Sequence, residues 1–294
     1  MSLFKGSAVA MVTPFKDGAI DYDALTRLIE LQSISGTDAV VVCGTTGEAA
    51  TLSFEEKTEL IRFTVERVDG RIPVIAGTGG NDTASVIEAS RTAEALGVDG
   101  LLIVTPFYNK TTQRGLVAHY GAIAEQVRLP ILIYNIPSRT GMNILPATVK
   151  QIADENENIV GIKEASANID QIIELAALCP KLDIYSGNDN EVLPLLSLGA
   201  KGVISTVANV IPSDMHNLCM AYFAGKHDIA RQLQLSVLPL IQAAFCETNP
   251  IPVKAMMEMM NLCSGEVRLP LIPPDEEHRA MIRTALRNYQ LIND

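Results

Sequence analysis

The chain has 294 residues, 48% of them hydrophobic, with only 20 glycines and 15 prolines, which excludes a disordered or fibrous protein. This length suits either two domains or one large α/β barrel of about 250 residues. A formal net charge of -11, with no run of lysines and arginines, repels phosphate backbones and argues against nucleic acid as a partner.

The N-terminal sequence Met1-Ser-Leu-Phe-Lys-Gly-Ser7 contains no basic segment followed by a long apolar one. No apolar run in the chain reaches the roughly 20 residues that a membrane-spanning helix needs. We therefore expect a soluble, cytoplasmic protein with no membrane partner.

The cysteines and histidines show no pattern of chemistry. The five cysteines are widely spaced in apolar sequence, as is typical of reduced thiols: Cys43, Cys179, Cys219, Cys246 and Cys263. The four histidines are equally scattered, and we interpret them as surface or packing residues: His119, His216, His227 and His278. Neither set has the spacing of metal ligands, so we predict neither a metal site nor a cofactor.

Apolar runs rich in β-forming residues recur along the chain, and most are continuous, as expected of strands buried on both faces. There are eight of them, in residues 7–15, 37–44, 71–79, 98–106, 129–137, 158–166, 182–189 and 201–209. Segments with the period of a helix, such as residues 22–35 and 82–96, separate them. The sequence thus predicts strictly alternating strands and helices.

Two α/β architectures share this alternation. An open doubly wound sheet is one, but eight evenly spaced units favour a closed (β/α)8 TIM barrel. After Asn209 only helical patterns follow, so we predict a helical C-terminal extension. We divide the chain into a catalytic barrel, residues 1–226, and an extension, residues 227–294. Because no Gly/Ser-rich linker joins them, we expect the extension to pack on the barrel.

Lys163 is the most unusual residue at a predicted strand end, where the functional groups of such barrels lie. It interrupts the apolar run that begins at Ile159. Imine formation requires an uncharged amine, and burial favours that form of an amine. The alternative is a structural ion pair with Glu164, but adjacent residues of a strand point to opposite faces. The pattern therefore favours a Schiff-base lysine.

Three further sets of polar residues lie at strand ends. Gly44-Thr-Thr-Gly-Glu48 offers hydroxyls and backbone N–H groups that suit a carboxylate, although such threonines can equally cap a turn. Arg139 could hold a second carboxylate bidentately, or be a solvated charge. Tyr108 and Tyr134 lie at consecutive strand ends, where a phenol could relay protons, although packing is the commoner use of a buried tyrosine.

Four motifs occur in an order and at spacings that are highly specific. They are Gly44-Thr-Thr-Gly-Glu48, Tyr134-Asn-Ile-Pro-Ser-Arg-Thr-Gly141, Gly161-Ile-Lys-Glu-Ala165 and Asn249-Pro-Ile-Pro-Val-Lys254. Together they resemble the dihydrodipicolinate synthase/N-acetylneuraminate lyase family of class I pyruvate aldolases, and the resemblance extends along essentially the whole chain.

The resemblance implies a role for each candidate residue. Lys163 would form the Schiff base, and Tyr134, Thr45 and Tyr108 would relay protons. Tyr108 would enter the site of a neighbouring subunit, which implies an oligomer, expected to be a homotetramer built as a dimer of dimers. Four residues would contact the substrates. Thr46, together with Thr45, would bind the pyruvate carboxylate, and Arg139 would bind the carboxylate of the aldehyde. Gly187 and Ile204 would line the pyruvate pocket.

Arg139 also selects a branch of the family. A synthase that condenses pyruvate with L-aspartate 4-semialdehyde, giving 4-hydroxy-tetrahydrodipicolinate in diaminopimelate and lysine biosynthesis, needs a cation for the second carboxylate. A lyase acting on a sugar acid, such as N-acetylneuraminate, needs polyol-binding groups instead. A third possibility is a non-catalytic barrel that binds a small molecule. The intact set of Lys163, Tyr134 and Arg139 favours the synthase.

The resemblance departs at the site where lysine inhibits sensitive synthases. The matching positions here are Phe54, Lys57, Ser85 and Phe107, and only Asn81 is retained. Without a carboxylate to receive the lysine amino group, we expect inhibition by lysine to be weak or absent. The alternative is that Glu56 or Glu59 supplies the missing carboxylate.

Overall fold

The structure, a computed structural model, describes residues 2–293. Eight parallel strands form a closed barrel in chain order, with the last strand pairing to the first. The barrel strands are β1 (Gly6–Ala10), β4 (Ala39–Val42), β5 (Val74–Gly77), β6 (Gly100–Val104), β7 (Ile131–Asn135), β8 (Ile159–Glu164), β9 (Asp183–Ser186) and β10 (Gly202–Ser205). Each predicted run overlaps one of them. The predicted (β/α)8 TIM barrel is therefore confirmed.

A small hairpin, made of β2 (Phe15–Lys16) and β3 (Ala19–Ile20), lies outside the barrel and was not predicted. Its two strands are antiparallel and are joined by Asp17 and Gly18, both with positive φ. An Asp-Gly pair in this conformation is the favoured two-residue connection of a hairpin.

Helices follow the barrel strands, and several begin at a side chain that caps them. They are α1 (Tyr22–Ile34), α2 (Phe54–Val68), α3 (Thr83–Ala95), α4 (Gln113–Ala124), α5 (Pro137–Thr140), α6 (Pro146–Glu155), α7 (Ile169–Leu178), α8 (Val192–Ser197) and α9 (Pro212–Phe223). At α2, for example, Ser53 and Glu56 form a reciprocal capping box, which satisfies two backbone N–H groups at the start of the helix.

The barrel strands are buried on both faces, as their continuous apolar sequence predicts. Alternate residues form two clusters, one inside the barrel and one between the barrel and its helices. The inner cluster includes Tyr134, Tyr185 and Ile204. Because neighbouring parallel strands are in register, a residue level with these tyrosines also points into the barrel.

The C-terminal part of the described chain is helical, as predicted. It consists of α10 (His227–Ser236), α11 (Leu238–Ala244), α12 (Ile251–Met259) and α13 (Glu276–Asn288). Most of α12 is buried, and Lys254 on this helix forms an ion pair with Glu48 of the barrel, so the extension packs on the barrel. No helix in residues 2–293 is long and apolar enough to cross a membrane.

Candidate active site

Lys163 lies on β8 in register with Tyr134 on β7 and Tyr185 on β9. Since both tyrosines belong to the inner cluster, the lysine points into the barrel, where it is 6% exposed. Its Nζ lies 4.3 Å from the centroid of the Tyr134 ring. The amine and the phenol that the sequence singles out are therefore side by side.

Glu164, the next residue, points the other way, as strand alternation predicts. Its two carboxylate oxygens each accept from Asn135 Nδ2 at 3.1 Å, and Oε1 also accepts from the Ser166 backbone N–H at 2.7 Å. Burial raises the pKa of the Glu164 carboxyl. The carboxylate is thus held by amides on the outer face of the barrel, and the alternative of a Lys163–Glu164 ion pair is wrong.

The Gly44–Glu48 segment forms a tight turn after β4. Gly47 N–H donates to Gly44 O at 3.1 Å, and Glu48 N–H donates to Thr45 O at 3.0 Å. Thr46 is buried, and its Oγ1 accepts from Asn249 Nδ2 at 2.9 Å. Thr45 is half-buried and lines the cavity described next. The turn therefore presents one hydroxyl to the cavity and fixes the other.

A cavity of about 580 Å³ opens beside the turn, within the range of pockets that hold small substrates. Thr45, Tyr134, Arg139 and Asn249 line one part of it. A second part is lined by all five positions that match the lysine-inhibition site of sensitive synthases: Phe54, Lys57, Asn81, Ser85 and Phe107. The candidate active site and these five positions thus share one continuous cleft.

Arg139 lies in the short helix α5, directly after β7. Its Nη2 donates to the backbone oxygen of Asn249 at 2.8 Å, which fixes the side chain against the C-terminal extension. A guanidinium carries five N–H donors, so this bond leaves capacity to bind a carboxylate in the cavity.

Gly187 lies beside Lys163, and Ile204 belongs to the inner cluster of the barrel. A Cβ atom at Gly187 would lie 2.7 Å from Ala165 Cβ and 3.1 Å from Lys163 Cε, so glycine leaves the space that the lysine occupies. Ile204 is buried on β10 in the same inner cluster as Tyr134. Gly187 therefore borders the Lys163 side chain, while Ile204 shares the barrel interior with it.

Tyr108 is not brought to this site within one chain. Its side chain is 92% exposed, and its backbone has φ +66°, an uncommon conformation for a tyrosine. The preceding residue, Phe107, lines the cavity. Tyr108 therefore projects from the rim of the cleft, and its place in a neighbouring subunit stays a prediction.

The family model described as "Dihydrodipicolinate synthetase family" matches residues 3–289 of this chain. The chain belongs to this family. It is also 52% identical over 293 residues to the "4-hydroxy-tetrahydrodipicolinate synthase 1" of Clostridium acetobutylicum, covering 99% of this chain and 100% of the relative. The family's synthases are enzymes of lysine and diaminopimelate biosynthesis, which supports the synthase over the lyase and the binding-protein alternatives.

Solved structures of the family share the fold closely. The dihydrodipicolinate synthase from Aquifex aeolicus superposes with a TM-score of 0.96 and 47% identity, covering 98% of this chain and 99% of that one. A structure described as the first monomeric dihydrodipicolinate synthase variant gives a TM-score of 0.97 and 43% identity, covering 99% of this chain and 98% of that one. The C-terminal helices are therefore part of the shared fold.

One group of potential metal ligands lies close together among the described residues, and none of its members lines the cavity. His278 Nδ1 is 3.0 Å from both Glu247 Oε1 and Asp275 Oδ1. Asp275 is the N-cap of α13 and accepts from the His278 backbone N–H at 2.8 Å, while Glu247 accepts from the Asp275 backbone N–H at 3.2 Å. These carboxylates therefore already serve to cap the helix.

Sequence reasoning missed the residues that hold the site together. Asn249 and Lys254 belong to a family motif but received no role, and Glu48 was grouped with its turn. All three are buried polar residues with partners more than 100 positions away in the chain. The signal in the sequence is Lys254 itself, a lysine in an otherwise apolar helical segment, as Lys163 is in a strand.

Proposed function

We propose that this chain condenses pyruvate with L-aspartate 4-semialdehyde to give 4-hydroxy-tetrahydrodipicolinate, the reaction after which its relatives are named. The observation that carries the proposal is the Lys163 amine beside the Tyr134 ring, inside the barrel, next to a cleft that bears Arg139. A buried amine, a phenol and a guanidinium are the groups that imine chemistry between two carboxylate substrates requires.

The proposed reaction begins at Lys163. Its amine attacks the keto carbon of pyruvate and expels water, giving an imine that withdraws electrons from the methyl group. Loss of a methyl proton gives an enamine, whose carbon attacks the aldehyde carbon of the second substrate. The amino group of that substrate then attacks the imine carbon, which closes the ring and frees Lys163.

The other site residues take supporting roles in this proposal. Tyr134, with Thr45 and Tyr108 of a partner subunit, moves protons to and from the reacting oxygens. Thr45 and Thr46 bind the pyruvate carboxylate, Gly187 and Ile204 border the pyruvate pocket, and Arg139 binds the second carboxylate. The support for these assignments is the proximity of Thr45, Tyr134 and Arg139 around one cavity.

Borohydride trapping tests this proposal directly. With pyruvate present, reduction should add a three-carbon unit to Lys163 irreversibly, because borohydride reduces the imine to a stable secondary amine. Peptide mapping by mass spectrometry locates the label, and protein reduced without pyruvate is the control. Labelling at another lysine, or no labelling, would contradict a Schiff base at Lys163.

We also propose a homotetramer arranged as a dimer of dimers. Tyr108, Leu269 and Ile272 are large, exposed side chains close in sequence to cavity residues, and they suit one interface. Ile169 and Ile173 lie four residues apart on α7, are each almost half exposed, and suit a second interface.

We also propose a cytoplasmic location. Five free cysteines support it, because the cytoplasm is reducing.

Mixing two inactive variants tests whether Tyr108 crosses between subunits. Tyr108→Phe and Lys163→Ala, each inactive alone, should regain partial activity under conditions that exchange subunits. In a mixed pair, the site with intact Lys163 receives Tyr108 from its Lys163→Ala partner and is complete, while the other site lacks both groups. Recovery should approach one working site per mixed pair. No recovery despite exchange, shown by mass spectrometry of tagged subunits, would place Tyr108 in its own subunit's site.

Lysine is expected to inhibit this chain weakly or not at all. Each charge-assisted hydrogen bond is worth about 1.5 to 3 kcal/mol, so losing two weakens binding by about two orders of magnitude or more. The nearby carboxylates are already engaged, because Glu56 lies 2.6 Å from Arg268 and Glu59 2.5 Å from Arg62. The Arg268 guanidinium lowers the pKa of Glu56 to about 2. A lysine titration of initial rates at subsaturating pyruvate measures the effect; half-inhibition well below a millimolar would refute it.

A further inference from the structure

A buried ion pair joins the C-terminal extension to the Gly44–Glu48 turn, and the proposed reaction makes no use of it. Lys254 on α12 is completely buried, and its Nζ lies 2.6 Å from Glu48 Oε1 and donates to Thr13 O at 2.9 Å. The same Nζ lies 4.2 Å from the centroid of the Phe15 ring. Every polar contact of this ammonium is thus made in the interior.

Stability alone does not account for such a pair. Removing two charges from water costs about as much as their attraction returns, so apolar residues of similar volume often stabilise a protein as well or better. Desolvation is the largest influence on the Lys254 amine and lowers its pKa, while the charge of Glu48 opposes that shift. The role of the ion pair is therefore to be found in the residues whose position it fixes.

What it holds is the end of the turn. Glu48 has φ +54°, an uncommon conformation for a residue with a side chain, and its second oxygen accepts from the Arg268 backbone N–H at 2.9 Å. One residue earlier, Gly47 O accepts from Thr13 Oγ1 at 2.6 Å. The turn is therefore tied to the end of β1, through Thr13, and to the C-terminal extension, through Lys254 and Arg268.

The residue that precedes α12 by two positions, Asn249, acts on the same turn. Its Nδ2 donates to Thr46 Oγ1 at 2.9 Å, and its backbone oxygen accepts from Arg139 at 2.8 Å. Because Thr46 Oγ1 accepts from the amide, the hydroxyl hydrogen must point to a different acceptor. Asn249 thus contacts Thr46 and Arg139, two of the three residues that the proposed function assigns to substrate carboxylates.

We propose that Glu48 and Lys254 are positioning residues, which set the place of the Thr45–Thr46 turn and so the binding of the pyruvate carboxylate. The inference rests on the proposed function, since it needs pyruvate as the first substrate. Neither residue touches the reacting atoms. Their loss should therefore raise the concentration of pyruvate needed for half-saturation.

The test uses the double variant Glu48→Gln/Lys254→Met, which removes both charges at similar volume and leaves neither charge unpaired. The rate of borohydride inactivation is measured against pyruvate concentration, and the melting temperature is measured in parallel. We expect half-saturation to rise about tenfold or more, because small displacements of binding groups have large effects on the geometry they impose.

The matched control is Glu258→Gln/Arg279→Met, which removes the 2.8 Å ion pair between α12 and α13 without touching the turn. It should leave half-saturation by pyruvate unchanged. A purely structural role for Glu48 and Lys254 would lower the fraction of active protein in the double variant, but would not shift its half-saturation.

The outcomes separate this inference from the proposed function. If wild-type protein is not trapped by pyruvate and borohydride, the proposed function fails. If the wild type is trapped and the double variant half-saturates at the same pyruvate concentration, the positioning role fails. Should the double variant not fold, Glu48→Gln alone replaces it, because the amide keeps the volume of the side chain but removes the charge that pairs with Lys254. Half-saturation should rise in that variant too, and an unchanged value would overturn the inference.

Discussion

Lys163→Ala is expected to abolish trapping by pyruvate and borohydride, and to lower the turnover rate by at least about 10⁴-fold. The loss is this large because no other group can form the imine, so the reaction has no covalent route left. The Lys163 side chain lies beside Gly187 and Tyr134, and its truncation costs some stability but removes no strand hydrogen bond, so the barrel should stay folded. Condensation rates with both substrates and mass spectrometry after reduction measure the two effects.

A matched control distinguishes the loss of this amine from the loss of any barrel lysine. Lys201 precedes β10 and lies at the opposite end of the barrel from the cleft, because the site occupies the C-terminal ends of the strands. Lys201→Ala should keep trapping and turnover close to wild type. Trapping that survives in Lys163→Ala would show that another lysine carries the imine.

The barrel could be predicted because its strands are buried on both faces. Strands of this kind have continuous apolar sequences, which are easily recognised. The small hairpin of β2 and β3 was missed because two residues per strand are too few to show a period. Its Asp17-Gly18 turn was nevertheless visible in the sequence, and it is a strong local signal for a hairpin.

The residues of the site divide by the kind of information that reveals them. Lys163 stands out locally, because a charged side chain within an apolar strand is costly unless it has a use. Its direction into the barrel also agrees with strand alternation, which predicts that Glu164, the next residue, points to the outer face, as it does. Strand geometry alone thus supplied the identity and the orientation of the candidate nucleophile.

The supporting contacts depend on the closed fold. Glu48 and Lys254 are 206 positions apart, and Thr46 and Asn249 are 203 apart. No period or spacing in the sequence relates residues at such separations. The extension contacts the barrel through the turn and Arg139, and the sequence could not show which residues it reaches. The division at residues 226 and 227 stays a prediction, since these contacts cross it.

Arg139→Ala is expected to impair the use of L-aspartate 4-semialdehyde while leaving the imine with pyruvate intact. A guanidinium that binds a carboxylate bidentately makes two charge-assisted hydrogen bonds, each worth about 1.5 to 3 kcal/mol. Losing both should lower kcat/KM for the aldehyde by about 100-fold or more. Steady-state kinetics with each substrate varied in turn, together with borohydride trapping, measure the two arms.

Arg139→Lys is the informative companion variant. It keeps the positive charge but loses the planar pair of donors, so its kcat/KM for the aldehyde should lie between those of the wild type and Arg139→Ala. Half-saturation by pyruvate should also be measured, because Arg139 donates to Asn249 O and Asn249 in turn donates to Thr46 on the turn. If Arg139 acts only on the second substrate, half-saturation by pyruvate in trapping stays at the wild-type value in both variants. If trapping falls as steeply as condensation, Arg139 instead supports the pyruvate site through Asn249, and its assignment to the second carboxylate is wrong.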